Sequence, residues 1–433
     1  MDDKGTRYRN GDIYIQNGLI KAIGPNLGKQ AEIEIDANGN AVLPGLINCH
    51  MHETLLRGLV EDLPLMRWLE EVCFPKDRAF LPQHEKAAAA MSQLEMIRGG
   101  TTTFVDIFRF PCEAAAVAEQ SGLRGIFCPQ VIDDPPGAGE TLESNISFID
   151  QWKDRIPGRI YTWFGPHAPY SCHKDTFQKM SKLAEKFDVR IHTHLAETKD
   201  EFDMFQEQYG QTPVEYLLDI ELLSPRLSVA HGVYLTDRDI KLLAEYDVAV
   251  VYNPSSNMKL ASGVARIVDL LEAGVRVGLG TDSNLSNNNL DMFEEMRLGA
   301  MLQKLCRGEA KALPCENILR MTTNLAAECL GLEDQIGSLE VGKRADVILV
   351  DLHAPHMWPI VPEPYSNVVE QIVYSANAAD VLTTIVDGIV LMQDREVLTI
   401  NQDDTEARVY QASIDLIKRA GLEERLEKII RSR

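Results

Sequence analysis

Two histidines, His50 and His52, stand at the end of a short apolar run, Leu43-Pro44-Gly45-Leu46-Ile47-Asn48-Cys49-His50-Met51-His52. A Pro-Gly turn followed by apolar residues predicts a buried strand, and alternation along a strand puts positions i and i+2 on the same side. Two imidazoles on one side can close on one ion, although an isolated pair is as readily a pair of core histidines. Further ligand types recur at the ends of later predicted strands: His194, with His192 on the same face, then His231 and Asp282. Three imidazoles and a carboxylate suit zinc or ferrous iron with one position left for water. Taken alone, Asp282 in Thr281-Asp282-Ser283 reads equally well as a helix cap.

Such an ion lowers the pKa of its water to about 7. Attack by that water on an aminated heterocycle also needs an acid for the ring nitrogen and a shuttle for the departing amine. Glu197, three residues after His194, is placed to be the acid, and Asp282 to be the base and shuttle. His231 could bind the ion or hold the attacking water. His167, in Phe164-Gly165-Pro166-His167-Ala168-Pro169-Tyr170, would face substrate, and Trp68 could stack on a flat ring or simply pack. His84, His173, His353 and His356 fall in helices or polar loops and read as solvent-exposed. His52-Glu53-Thr54-Leu55-Leu56 is not H-E-x-x-H, which excludes that metalloprotease type, and the H-x-E with P-C-x-x-C of cytidine-type deaminases is absent.

The elements that must position these residues alternate in type. Eight apolar runs are predicted as strands: 47–52, 101–107, 125–132, 160–165, 190–195, 227–231, 249–252 and 276–280, separated by amphipathic helical stretches. Eight such units are the content of a closed β/α barrel, whose active site lies at the carboxyl ends of its strands. Before them, two short runs flank Asn17-Gly18, a hairpin signal, and Ile33-Glu34-Ile35-Asp36 and Ala41-Val42-Leu43 extend the β pattern. β-type runs return at Ala345–Asp351 and Thr383–Val390. The expected organisation is a (β/α)8 TIM-like barrel, residues 47–337, inserted in a small β-sandwich built from both chain ends, residues 1–46 and 338–433, with the amphipathic tail from Thr405 serving in packing.

With 433 residues, 45% of them hydrophobic, the chain can bury a large core without staples. A formal charge of −22 repels phosphate backbones and anionic membranes, so nucleic-acid and membrane partners are not expected. The eight cysteines form no C-x-x-C pair and no signal peptide is recognisable, so a reducing cytoplasm is expected.

The stretches PGLINCHMH, LLRGLVEDLPLMRWLEE, GTTTFVD, FGPHAPY, HTHLAET, VAHGVYL, NPSSNMKLASG, GLGTDSNLSNNNLDMFEEMR and GSLEVGKRADVILVDL together resemble the amidohydrolase superfamily, in the branch of methylthioadenosine/S-adenosylhomocysteine deaminases and triazine hydrolases. The resemblance runs from about residue 11 to 390. It implies one divalent ion, zinc before iron, on His50, His52, His194 and Asp282, with Glu197 as proton donor, His231 as partner of the water and His167 as substrate contact. It also places the ribose-binding glutamate of the deaminases on Asp77, a shorter carboxylate. Two arginines of those enzymes fall near Pro129 and Thr141, which counts against S-adenosylhomocysteine itself. The expected activity is hydrolytic deamination of an adenine nucleoside or related ring. The alternatives are a triazine-type chlorohydrolase or aminohydrolase, a guanine- or cytosine-type base deaminase, and, outside enzymes, a binding protein that has lost catalysis on this fold. The small-molecule heterocycle is the expected partner, and the branch admits homo-oligomers.

Overall fold

The computed structural model describes residues 6–432 apart from Val60 and Pro64. Asn17 and Gly18 both take positive φ, 53° and 74°, so the turn's twist matches the strands it joins, β1 (Asp12–Gln16) and β2 (Leu19–Gly24), which pair antiparallel. Next comes β3 (Ala41–Pro44). The predicted strand over 33–36 does not form. Ile33 is 65% exposed, and only Ile35 of the alternating pair reaches an apolar cluster, so one side chain cannot anchor a strand register.

The parallel strands follow as β4 (Leu46–Met51), β5 (Thr101–Asp106), β6 (Arg124–Phe127), β7 (Gln130–Val131), β8 (Ile160–Thr162), β9 (Gly165–Pro166), β10 (Ile191–Leu195), β11 (Leu227–His231), β12 (Ala249–Tyr252) and β13 (Val277–Leu279). The third and fourth predicted strands are each split in two. Pro129 has no N–H for a ladder, and the interruption lets β7 pair with β9 beyond it. β4, β5, β6 and β8 form one parallel run and β10 to β13 another. Phe164 joins the runs, its N–H donating to Arg190 O and its carbonyl accepting from His192 N–H, both at 2.9 Å. At the opposite seam the N–H of Asp282 donates to His50 O at 2.9 Å, bringing the last unit back to the first. Gly280 is required there: a Cβ would lie 2.9 Å from the backbone of His50. These parallel strands and the helices between them make up the expected TIM-type fold.

A second sheet contains β14 (Val347–Val350), β15 (Val381–Val386), β16 (Ile389–Gln393) and β17 (Glu396–Val397), with β3 pairing antiparallel to β14. Strands from both ends of the chain thus share one sheet. Arg124, fully buried at the start of β6, ties it to the barrel through two hydrogen bonds from Nη2, to Asp346 Oδ1 and Asp387 Oδ1, each 2.8 Å. The tail forms helices Gln402–Arg419 and Glu423–Ser432. The first lies along helix Pro82–Arg98, where His84 donates toward Asp415 at 2.8 Å. His84 is therefore 1% exposed, not a surface residue as its polar neighbourhood suggested; the tail covers it. No helix among the described residues is long and apolar enough to cross a membrane.

Candidate active site

The carboxyl ends of the parallel strands bring the sequence-predicted ligands together. His50 is the last but one residue of β4 and His52 lies one residue past its end; His194 is in β10, His231 ends β11, and Asp282 follows β13. His50 Nε2 lies 3.5 Å and His52 Nε2 3.3 Å from Asp282 Oδ1, and His194 Nε2 is 3.3 Å from His52 Nε2. Asp282 is not the helix cap its sequence also allowed: turns follow it, and Asp291 caps the next helix, Met292–Arg307.

The outer nitrogens of these rings are already committed. His52 Nδ1–H donates to Ile107 O at 2.5 Å, and His194 Nδ1–H to His167 O at 2.7 Å. Each such bond fixes the tautomer that leaves Nε2 as a lone pair facing the cluster. His50 Nδ1 lies 2.8 Å from His192 Nε2, and His192 Nδ1 is 3.1 Å from Ser228 Oγ. His192, the other ligand option on β10, therefore stands behind His50 and relays its orientation. His50 Nε2 is buried without a hydrogen-bond partner, the mark of a donor awaiting an ion. A set of three ring nitrogens and one carboxylate fits zinc.

His231 is oriented differently. Its Nδ1 receives the side-chain amides of Asn257 at 3.0 Å and Asn253 at 3.3 Å, so the neutral ring carries its proton on Nε2. That nitrogen points toward Glu197 Oε2, 3.7 Å away. Ser256 Oγ–H donates to Asp282 Oδ2 at 2.5 Å. Sequence reading did not assign these roles to Asn253, Ser256 and Asn257; the NPSSNMK stretch carries them, but nothing in its composition says that it curls under Asp282 and His231. Both His231 and Asp282 hold positive φ, 77° and 60°, a local strain that the surrounding bonds must sustain.

Burial dominates the electrostatics. It pushes His167 and His231 down to about 3, so both are neutral at physiological pH. Burial, reinforced by the charge of Asp282, raises Glu197 well above the usual carboxylate range. Burial works against ionised Asp282, but the His50 and His52 rings beside it outweigh it and hold the carboxyl far below that range. One site thus contains a carboxyl kept protonated and a carboxylate kept charged.

The remaining predicted contacts line the same pocket: Trp68, Asp77 and His167, with Lys76 and Gln130 beside them. His167 Nδ1 is held by Ser171 Oγ at 2.7 Å. Asp77 Oδ1 lies 3.0 Å from Lys76 Nζ, and Trp68 Nε1 and Gln130 Oε1 are buried without partners.

Residues 41–391 match the model of the amidohydrolase family. The chain is 42% identical, over 414 residues covering 94% of it and 95% of the relative, to a 5-methylthioadenosine/S-adenosylhomocysteine deaminase of Desulforudis audaxviator. It is similar to the zinc-bound structure of an adenosine deaminase from Xanthomonas campestris (TM-score 0.89, 34% identity, 96% of this chain and 95% of that one). It also superimposes on an atrazine chlorohydrolase of Arthrobacter aurescens complexed with zinc (TM-score 0.87, 25% identity, 95% and 97%).

Proposed function

Because the chain belongs to the amidohydrolase family, we propose that it is a zinc-dependent deaminase that exchanges the exocyclic amine of an adenine nucleoside for oxygen and releases ammonia. The observation that carries this reading is the convergence of His50, His52, His194 and Asp282 beside a protonated Glu197, in a pocket also lined by Trp68. The deaminase names of the relatives at 42% and 34% identity support it over chloride release, the chemistry named for the relative at 25%.

His50, His52, His194 and Asp282 would hold the ion. When bound, it supplies acidified water and charge stabilisation at neutral pH. His231, neutral with its proton on Nε2, orients the attacking oxygen, and Glu197 gives its proton to the ring nitrogen next to the carbon under attack. Asp282, kept ionised, receives one proton of the incoming oxygen and passes it to the amine as the carbon–nitrogen bond breaks, and the second proton of that oxygen restores Glu197. Water and the amine thus become an oxo group and ammonia. Asp77 accepts from the sugar hydroxyls, and Trp68 offers its indole N–H and its face to the substrate. With all eight thiols free, a reducing compartment suits the protein.

The test is one panel on the zinc-loaded protein: ammonia from adenosine, 5′-deoxyadenosine, methylthioadenosine, S-adenosylhomocysteine, guanine and cytosine, and chloride from a chlorotriazine. Ammonia from the smaller adenine nucleosides is expected, falling by about 10²–10⁴-fold in Glu197→Gln with the zinc content unchanged. Chloride release with no nucleoside turnover would overturn the reading.

A further inference from the structure

Behind the catalytic cluster lies another group of carboxylates. Glu53 directly follows His52, Asp106 ends β5 opposite Met51, and Glu85 sits in the first turn of helix Pro82–Arg98. Glu53 and Glu85 are 0% exposed and Asp106 1%. One carboxylate oxygen from each falls within 4.8 Å of the others. Three elements of the fold thus deliver three acids to one sealed point.

Their hydrogen bonds do not account for them. Asp106 Oδ1 accepts from Glu53 N–H at 2.8 Å, and Glu53 Oε2 accepts from Gln93 Nε2 at 3.4 Å. Glu53 Oε1 and both oxygens of Glu85 are buried with no partner. Lys76, a basic group near Glu85, is engaged elsewhere: its Nζ donates to Thr54 Oγ1 at 2.7 Å and lies 3.0 Å from Asp77 Oδ1. The ring of His52 faces Asp282 and Ile107 instead.

Buried, unpaired carboxylates are strongly disfavoured unless something neutralises and engages them. Protonation alone would still leave acceptor oxygens of Glu53 and Glu85 unmet. One divalent ion engages all three at once. We infer that Glu53, Glu85 and Asp106 form a second cation site, distinct from the histidine cluster, for a hard divalent ion of the magnesium or manganese kind. An all-oxygen donor set of three carboxylates completed by water matches such ions, whereas zinc favours the nitrogen-rich set next to it. The ion would fasten the end of β4, the end of β5 and helix Pro82–Arg98 to one another, immediately behind His52.

The experiment strips the protein of metal, restores one equivalent of zinc and titrates Mn²⁺, read by electron paramagnetic resonance and by elemental analysis. One further equivalent of Mn²⁺ is expected, with zinc retained and the melting temperature raised. Glu85→Gln should lose the Mn²⁺ equivalent and keep the zinc, whereas His50→Ala should lose zinc and keep Mn²⁺. No Mn²⁺ uptake by the wild-type protein overturns the inference whatever the variants do, and so does undiminished uptake by folded Glu85→Gln.

Discussion

At the scale of single residues, the site depends on groups that never touch substrate. His192 is the clearest. It shares a strand face with His194, and spacing alone left either as a ligand, but its Nε2 meets His50 Nδ1 at 2.8 Å while its far side rests on Ser228. The relay Ser228, His192, His50 is what turns His50 Nε2 inward. Outer partners of this kind typically contribute 10–100-fold in metal affinity. His192→Ala should therefore weaken zinc binding by about that factor and leave the zinc-saturated KM close to wild type, as measured by competition with a chromophoric chelator. If zinc affinity in His192→Ala matched wild type, His192 would be a packing residue only.

At the scale of elements, the pocket wall is borrowed from distant sequence. The helical segments Leu65–Trp68, Leu69–Cys73 and Phe74–Ala79 carry Trp68, Lys76 and Asp77 into the pocket. Their apolar residues Trp68, Leu69, Val72 and Phe74 belong to one cluster with Leu416, Leu422 and Leu426 of the tail. Leu416→Ala, at a fully buried position, should cost about 2–5 kcal/mol in unfolding free energy and raise KM more than it lowers kcat, with zinc content constant. An unchanged KM would mean that the wall keeps its place without the tail. How much of this was legible follows from the kind of signal. The strand ends were readable because an apolar run terminating in His or Asp is a local pattern, and the Asn17-Gly18 hairpin because its turn demands positive φ. The break at Pro129 is also a local signal, since proline brings no N–H to a ladder. What covers His84, and what lies under Trp68, depended on contacts over 300 residues apart, such as His84 with Asp415, for which the sequence carries no pattern.

At the scale of the whole molecule, two kinds of negative charge act on stability. The net charge of −22 is spread over the surface and its self-repulsion is screened by salt. Buried carboxyls are not screened. Burial pushes Glu201 up to about 7 and Glu295 up to about 8, each from 4.5. Their folded pKa values lie above the unfolded ones, so the folded chain binds more protons between them. The contribution of Glu295 is therefore fully present below about pH 4.5 and is lost as pH rises through 8. Glu295 accepts from Ser255 N–H at 3.2 Å and from Asn287 Nδ2 at 2.7 Å, behind Asp282; these bonds favour its ionised form and offset only part of the cost of burying the charge. Wild-type stability should fall from pH 5 to pH 8 in about 0.5 M salt as well as in low salt, since screening removes only the surface part. In Glu295→Gln the slope should be shallower by up to one proton, about 1.4 kcal/mol per pH unit. Denaturant unfolding at several pH values, with zinc saturating, separates the two. Parallel profiles for variant and wild type in high salt would mean that this buried acid does not carry the pH dependence.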